Sequence, residues 1–147
     1  MDITLKMKIL RNVFDEDLAT YLIKNQCVDD YIVEKIINRF GERGIVSLRN
    51  FGKGYSRRYR ISLVGSPEWT IDLYTFLGRH GEYIIFPFSG YCGCYSKFSL
   101  NITRRYPCYH LISFSLDLAV DSLISFDYQV SNLEMLALSL FYDSLSK

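Results

Sequence analysis

From His110 to Val130 the chain reads HLISFSLDLAVDSLISFDYQV. Apolar side chains fall on Ile112, Phe114, Leu116, Leu118 and Val120, then on Ile124, Phe126, Tyr128 and Val130. Between them stand Ser113, Ser115, Asp117, Ser125, Asp127 and Gln129. A pleated strand sends successive side chains to opposite faces, so this alternation buries one face and wets the other. Only Ser122, beside Asp121, interrupts the register, and it falls where a turn would join two antiparallel strands. A helical face of Leu116, Val120, Leu123 and Ile124 after a Ser115 cap competes with this reading. Nine positions fit period two against four for the helical period, and Phe, Tyr, Val and Ile suit strands, so the segment predicts a hairpin.

The remaining elements follow from similar patterns. Residues 2–10 alternate through Ile3, Leu5, Met7 and Ile9 and predict a first strand. Asp15, Glu16 and Asp17 open a helix carrying Leu18, Tyr21 and Leu22, and Asp29 or Asp30 caps a second with Ile32, Val33, Ile36, Ile37 and Phe40, stopped by Gly41. These two predict an αα-hairpin covering the sheet. Strands are expected either side of Gly52-Lys53-Gly54, from Ile45 to Val64. Ser66-Pro67-Glu68 opens a middle helix with Trp69, Leu73, Phe76 and Leu77, ended by Gly78, although Trp69, Ile71 and Leu73 also alternate. Tyr83 to Phe88 and Ser96 to Ile102 read as strands joined by the bend SGYCGC. Ser131 and Glu134 have capping-box spacing before Leu133, Leu136, Ala137, Leu140 and Phe141, which predicts a C-terminal helix. The expectation is one α+β domain over residues 1–147, with a mainly antiparallel sheet of about six to seven strands.

Apolar residues at 49% and charged residues at 22% argue against extended disorder. The N-terminal MDITLKMKIL has no long apolar run and no segment has the length of a bilayer span, which points to a cytoplasmic protein that does not engage membrane. Net charge is +1, yet residues 1–65 hold twelve Lys and Arg against eight Asp and Glu, whereas residues 66–147 hold five against eight. Four cysteines are too few and too scattered for a disulfide framework.

The basic surplus concentrates in a hairpin expected over 49–60, where Arg49, Lys53, Arg57, Arg58 and Arg60 interleave with Phe51, Tyr55 and Tyr59. Such a window is either a solvated hairpin whose arginines cover apolar neighbours and pair with scattered carboxylates, or a surface for an acidic protein or for the phosphates and bases of single-stranded nucleic acid. Tyr91 and Tyr95, in the aromatic run from Gly81 to Tyr95, are further contact residues, because a tyrosine joins contact area to a hydrogen-bonding tip.

Cys92-Gly-Cys94 and Cys108-Tyr-His110 supply two pairs of soft or borderline ligands, the residue types of tetrahedral zinc sites. Their one-residue spacing is shorter than that of common zinc knuckles, and free cysteines are commonly buried, so the expectation is core or bend thiols with no cofactor. For catalysis the inventory is poor: His80 and His110 are the only histidines, and neither lies in a nucleophile, metal or phosphate-transfer motif. The sequence therefore favours a non-enzymatic protein-binding module of the inhibitor, antitoxin or immunity type, covering a partner's functional surface. The alternatives are RNA or single-stranded DNA binding through 49–60, and an enzyme with an unrecognised site near His80 or His110.

Overall fold

The computed structural model describes residues 1–94, 107–132 and 134. Four helices open the chain: α1 (Ile3–Leu10), α2 (Glu16–Asn25), α3 (Asp30–Phe40) and α4 (Glu42–Asn50). Strands β1 (Ser56–Leu63), β2 (Ser66–Gly78), β3 (Gly81–Phe86) and β4 (Tyr91–Cys92) follow, then helix α5 (Tyr109–Ala119) and strand β5 (Ile124–Val130). The fold is α+β. Its sheet has the order β4-β3-β2-β1-β5, antiparallel throughout except that β5 runs parallel to β1. Helix α5 packs on β1, β2 and β4, while α1, α2 and α4 pack around α5.

Local chemistry explains the helices that were expected. Asp15 caps α2 by accepting from the Leu18 N–H at 2.8 Å, and Asp29 caps α3 by accepting from the Ile32 N–H at 3.0 Å. Gly41 ends α3 with φ +60°. The expected strands over 83–88 and 124–130 are present as β3 and β5.

Other elements correct the sequence reading. Five strands form among the described residues rather than six to seven, because three expected strand segments are helical. Residues 3–10 form α1, capped by Asp2, which accepts from the Leu5 N–H at 2.9 Å. Its buried side chains, Lys6, Ile9 and Leu10, keep helical spacing, while Ile3 and Leu5 of the apparent alternation are exposed. Residues 42–50 form α4, and Gly52 and Gly54, with φ +73° and +80°, turn a helix into β1 instead of closing a hairpin. Gly44 lets α4 press on α3, since a Cβ there would lie 2.6 Å from the Ile36 carbonyl oxygen. Residues 66–78 form one strand, not the middle helix: Tyr74, Thr75 and Phe76 have ladder partners on both sides, which outweighs the Ser-Pro-Glu opening. The α2–α3 hairpin belongs to a four-helix run, and α2 packs on α5, which itself lies on the sheet. The expected strand 96–102 and the body of the C-terminal helix fall outside the described residues.

The largest correction is α5. Every residue from His110 to Ala119 is buried, so this helix has no wet face to mark its period. From Ile112 to Leu118 the even positions are apolar and the odd ones polar: Ser115 Oγ donates to the Leu111 carbonyl at 2.8 Å, while Ser113 Oγ is buried without a partner. Asp117, only 1% exposed, accepts from Ser56 Oγ at 2.5 Å, Ser122 Oγ at 2.6 Å and the Gly52 N–H at 3.0 Å. One carboxylate thereby ties α5 to the α4–β1 loop, to β1 and to its own C-terminal turn. Lys6 Nζ reaches Asp121 Oδ1 at 2.5 Å and fastens α1 to that same turn. No helix among the described residues is long and apolar enough to cross a membrane.

Burial pushes the Asp117 carboxyl above its ordinary range, against the opposing pull of its three donors. The folded chain then binds this proton more tightly than the unfolded chain. Its contribution is fully present below the unfolded pKa of about 4 and is lost as pH rises through the folded value. The stability difference between the native chain and Asp117→Asn is expected to fall as pH rises from about 4, and urea unfolding across that range measures it. Asp117→Ala, which strands three donors, is expected to cost about 3 kcal/mol at neutral pH.

Candidate functional site

Two structural features bring the four metal-type residues together. In the β3–β4 hairpin, Cys92 pairs with Ile85 at the end of β4, and Gly93 lies against β3. A Cβ on Gly93 would sit 3.2 Å from the Ile84 carbonyl oxygen, so glycine is what allows Cys92 and Cys94 to follow the strand so closely. At the start of α5, Cys108 is the N-cap and its Sγ accepts from the Leu111 N–H at 3.4 Å, which puts His110 in the first turn. The α5 N-terminus sits against β4, closing the cluster.

The ligand atoms of Cys92, Cys94, Cys108 and His110 all lie within 4.8 Å of one another. His110 Nδ1 is 3.7 Å from Cys108 Sγ and 3.8 Å from Cys92 Sγ. A tetrahedral zinc ion, with bonds of about 2.3 Å to sulfur and about 2.0 Å to nitrogen, separates its ligands by about 3.5–3.8 Å. The donor set therefore fits Zn2+ in chemistry, and the two His110–sulfur distances fit it in size. None of the four cysteines is in a disulfide.

Packing and charge support the cluster. The His110 ring is enclosed by Tyr109, Tyr83 and Phe76 at centroid distances of 4.1, 4.8 and 5.3 Å. Hydrogen bonds from Cys92 and Cys94 hold the Cys108 thiol far below its usual range, and His110 adds to this. The donors shift the opposite way. The Cys94 thiol is pushed up to about 12, chiefly by its bond to Cys108, and Cys92 rises through its bonds to Cys108 and Cys94 and through burial. Cys92, Cys94, Cys108 and His110 would together supply a zinc ion with four protein ligands, the number found in structural rather than catalytic sites.

The structure thus assembles all four of the residues that the sequence offered for metal. Cys92 and Cys94 are buried and Cys108 is half-buried, and the two pairs weighed together from sequence also meet in space. The signal was the doubled one-residue spacing, separated by the thirteen residues 95–107.

The basic window fares differently, since residues 49–60 are not a hairpin. Arg49 is exposed in the last turn of α4 and Lys53 is exposed in the following loop. Tyr55 is half-buried, edge-on to Phe76 at 6.1 Å. Ser56 faces α5 through its bond to Asp117, so strand alternation puts Arg58 and Arg60 on that side and Arg57 and Tyr59 on the opposite one. Arg58 donates to Ser125 Oγ at 3.0 and 3.2 Å, and Arg60 faces Asp72 at 3.5 Å. On the other face Tyr59 stacks between Phe126 at 5.3 Å and Tyr128 at 5.9 Å, with Arg57 5.7 Å above Phe126. Tyr59 donates to Glu82 at 2.5 Å, and burial together with this bond raises its pKa. Tyr91 is exposed on β4, His80 is exposed in the β2–β3 turn, and Tyr95 lies outside the described residues. Sequence reasoning missed the exposed Trp69, Ile71, Ile124 and Tyr128 as surface residues because it counted them as core.

Comparison with protein-family models, curated proteins and solved structures finds no match, so the site is read from its own geometry.

Gly78 ends β2 beside the cluster, where a Cβ would lie 2.8 Å from His110 Nε2 and 2.6 Å from Tyr83 Cε2. Gly78→Ala is expected to displace the imidazole and to weaken zinc binding by about tenfold to a hundredfold, measured by chelator competition.

Proposed function

We propose that this chain is a zinc-stapled, non-enzymatic module that binds another protein through its sheet. The observation that carries the reading is the convergence of Cys92, Cys94, Cys108 and His110 within 4.8 Å. Zinc there would clamp the β3–β4 hairpin to the start of α5, joining the sheet to the helical layer. A full set of protein ligands favours a scaffold over a reaction centre.

The binding half of the reading is supported by what the sheet leaves exposed. Trp69 is 65% exposed, Tyr128 49% and Ile71 44%, the residue types that anchor protein interfaces. The division of the arginines favours protein over nucleic acid. Arg57 lies over a ring on one face, while Arg58 and Arg60 engage Ser125 and Asp72 on the other, so the window forms no single phosphate track. Inhibitor, antitoxin and immunity proteins are examples of such modules, and the partner of this one is expected to be a protein.

Two measurements test the two halves. Purified chain is expected to carry about one equivalent of zinc, with only Cys27 open to a thiol reagent until a chelator exposes the other three. Zinc well below one equivalent after reconstitution overturns the metal reading. Tagged chain is expected to retain a protein partner after nuclease treatment and to lose it in the Trp69→Ala/Tyr128→Ala double variant. Release of everything by nuclease overturns the protein reading in favour of nucleic acid.

A further inference from the structure

Strand β5 is the outermost strand of the sheet, and no described residue pairs with its outer edge. It is also exposed on both faces, with Ser125, Asp127 and Gln129 open on the side of α5 and Ile124 and Tyr128 open on the other. The Val64 N–H donates to the Val130 carbonyl at 2.9 Å, so Val130 turns its backbone toward β1. Alternation then turns Ile124, Phe126 and Tyr128 the same way and leaves the N–H and C=O groups of Ser125, Asp127 and Gln129 pointing out of the sheet. Such an edge is a template for one more strand.

The rows across the sheet specify that strand. On the α5 side, Asp72, Arg60 and Asp127 stand in register on β2, β1 and β5, so the row reads negative, positive, negative and ends on a carboxylate. On the opposite side, Tyr59 is in register with Phe126, and Ile61 with Tyr128. We propose that β5 is the docking edge for an extended segment of another protein, carrying a cationic residue opposite Asp127 and apolar residues opposite Phe126 and Tyr128. This deepens the protein-binding reading and rests on it. A second copy of this chain fits poorly, because two β5 strands paired antiparallel about their midpoint would set Asp127 directly against Asp127.

The test uses the full chain and a labelled peptide, Val-Thr-Val-Lys-Val-Thr-Val, followed by fluorescence anisotropy. Binding is expected with Kd below about 1 mM, and at least about fivefold weaker when Glu replaces the central Lys. Asp127→Lys is expected to invert that preference. Gln129→Pro removes an outward N–H without touching a bond to β1, so it is expected to abolish binding while the thermal midpoint stays within a few degrees. If Gln129→Pro unfolds the chain, the inversion by Asp127→Lys still decides. No binding by the native chain up to about 1 mM, equal binding of the two peptides, or sedimentation as a dimer that Gln129→Pro dissociates overturns the proposal. A partner that co-purifies unchanged with Asp127→Lys and with Gln129→Pro also overturns it, while leaving the broader protein-binding reading standing. Loss of every protein partner to nuclease sinks that broader reading instead.

Discussion

Helix α5 is enclosed on all sides, and the rest of the structure answers to that enclosure. A helix buried around its whole circumference has to answer its polar groups internally or leave them at a cost, as it does with the Ser113 hydroxyl, which is buried without a partner. Ser115 turns back onto its own helix, and Asp117 gathers three donors from the α4–β1 loop, β1 and the turn that follows. Lys6 and Asp121 repeat the device at the helix's C-terminal end, where Asp121 accepts a left-handed backbone with φ +59°. The helical and sheet layers are held together by packing on α5 and by these few polar ties at its lower half.

The opposite end of α5 carries the four-residue cluster. Its first turn presents Cys108 and His110 to the β3–β4 hairpin, where Gly93 lies close to the Ile84 backbone, while Gly78 at the end of β2 leaves room for the His110 and Tyr83 rings. The same helix is thus anchored by a carboxylate near one end and by soft ligands at the other. A metal bound at the second end would cross-link elements distant in sequence. On the far side of the sheet, the stacked rings of Tyr59, Phe126 and Tyr128 give β5 side-chain support beyond its ladder with β1. Each such ring pair is worth about 1 kcal/mol beyond its buried area.

Particular residues explain what was legible. Helices α2 and α3 could be read because Asp15, Asp29 and Gly41 act on neighbouring backbone, and the chemistry of a cap is local. Strand β5 could be read because apolar and polar side chains alternate along it, although both of its faces keep exposed residues. Helix α5 was misread because burial at every position erases that contrast, leaving Ser113, Ser115 and Asp117 to imitate a solvent face. Helix α1 failed differently. Its apparent alternation placed Ile3 and Leu5 inward, whereas packing chose Lys6, whose stem lies inside while its ammonium meets Asp121. The basic window was real in composition, but a strand's period of two sends adjacent arginines to opposite faces, so one linear cluster became two surfaces.

What the sequence determined by itself is therefore the set of interactions made within a few residues: the caps of α2 and α3, the glycine turns, and the two short pairs Cys92-x-Cys94 and Cys108-x-His110. What only the tertiary structure decided is how distant pieces meet: that residues 109–119 are a helix with no outside, that β5 returns parallel to β1, and that the two ligand pairs converge on one point. The physical reason is range. Capping and turn preferences act through bonds a few atoms long, whereas burial and ligand convergence depend on which surfaces face each other, a property that exists only once the layers have packed.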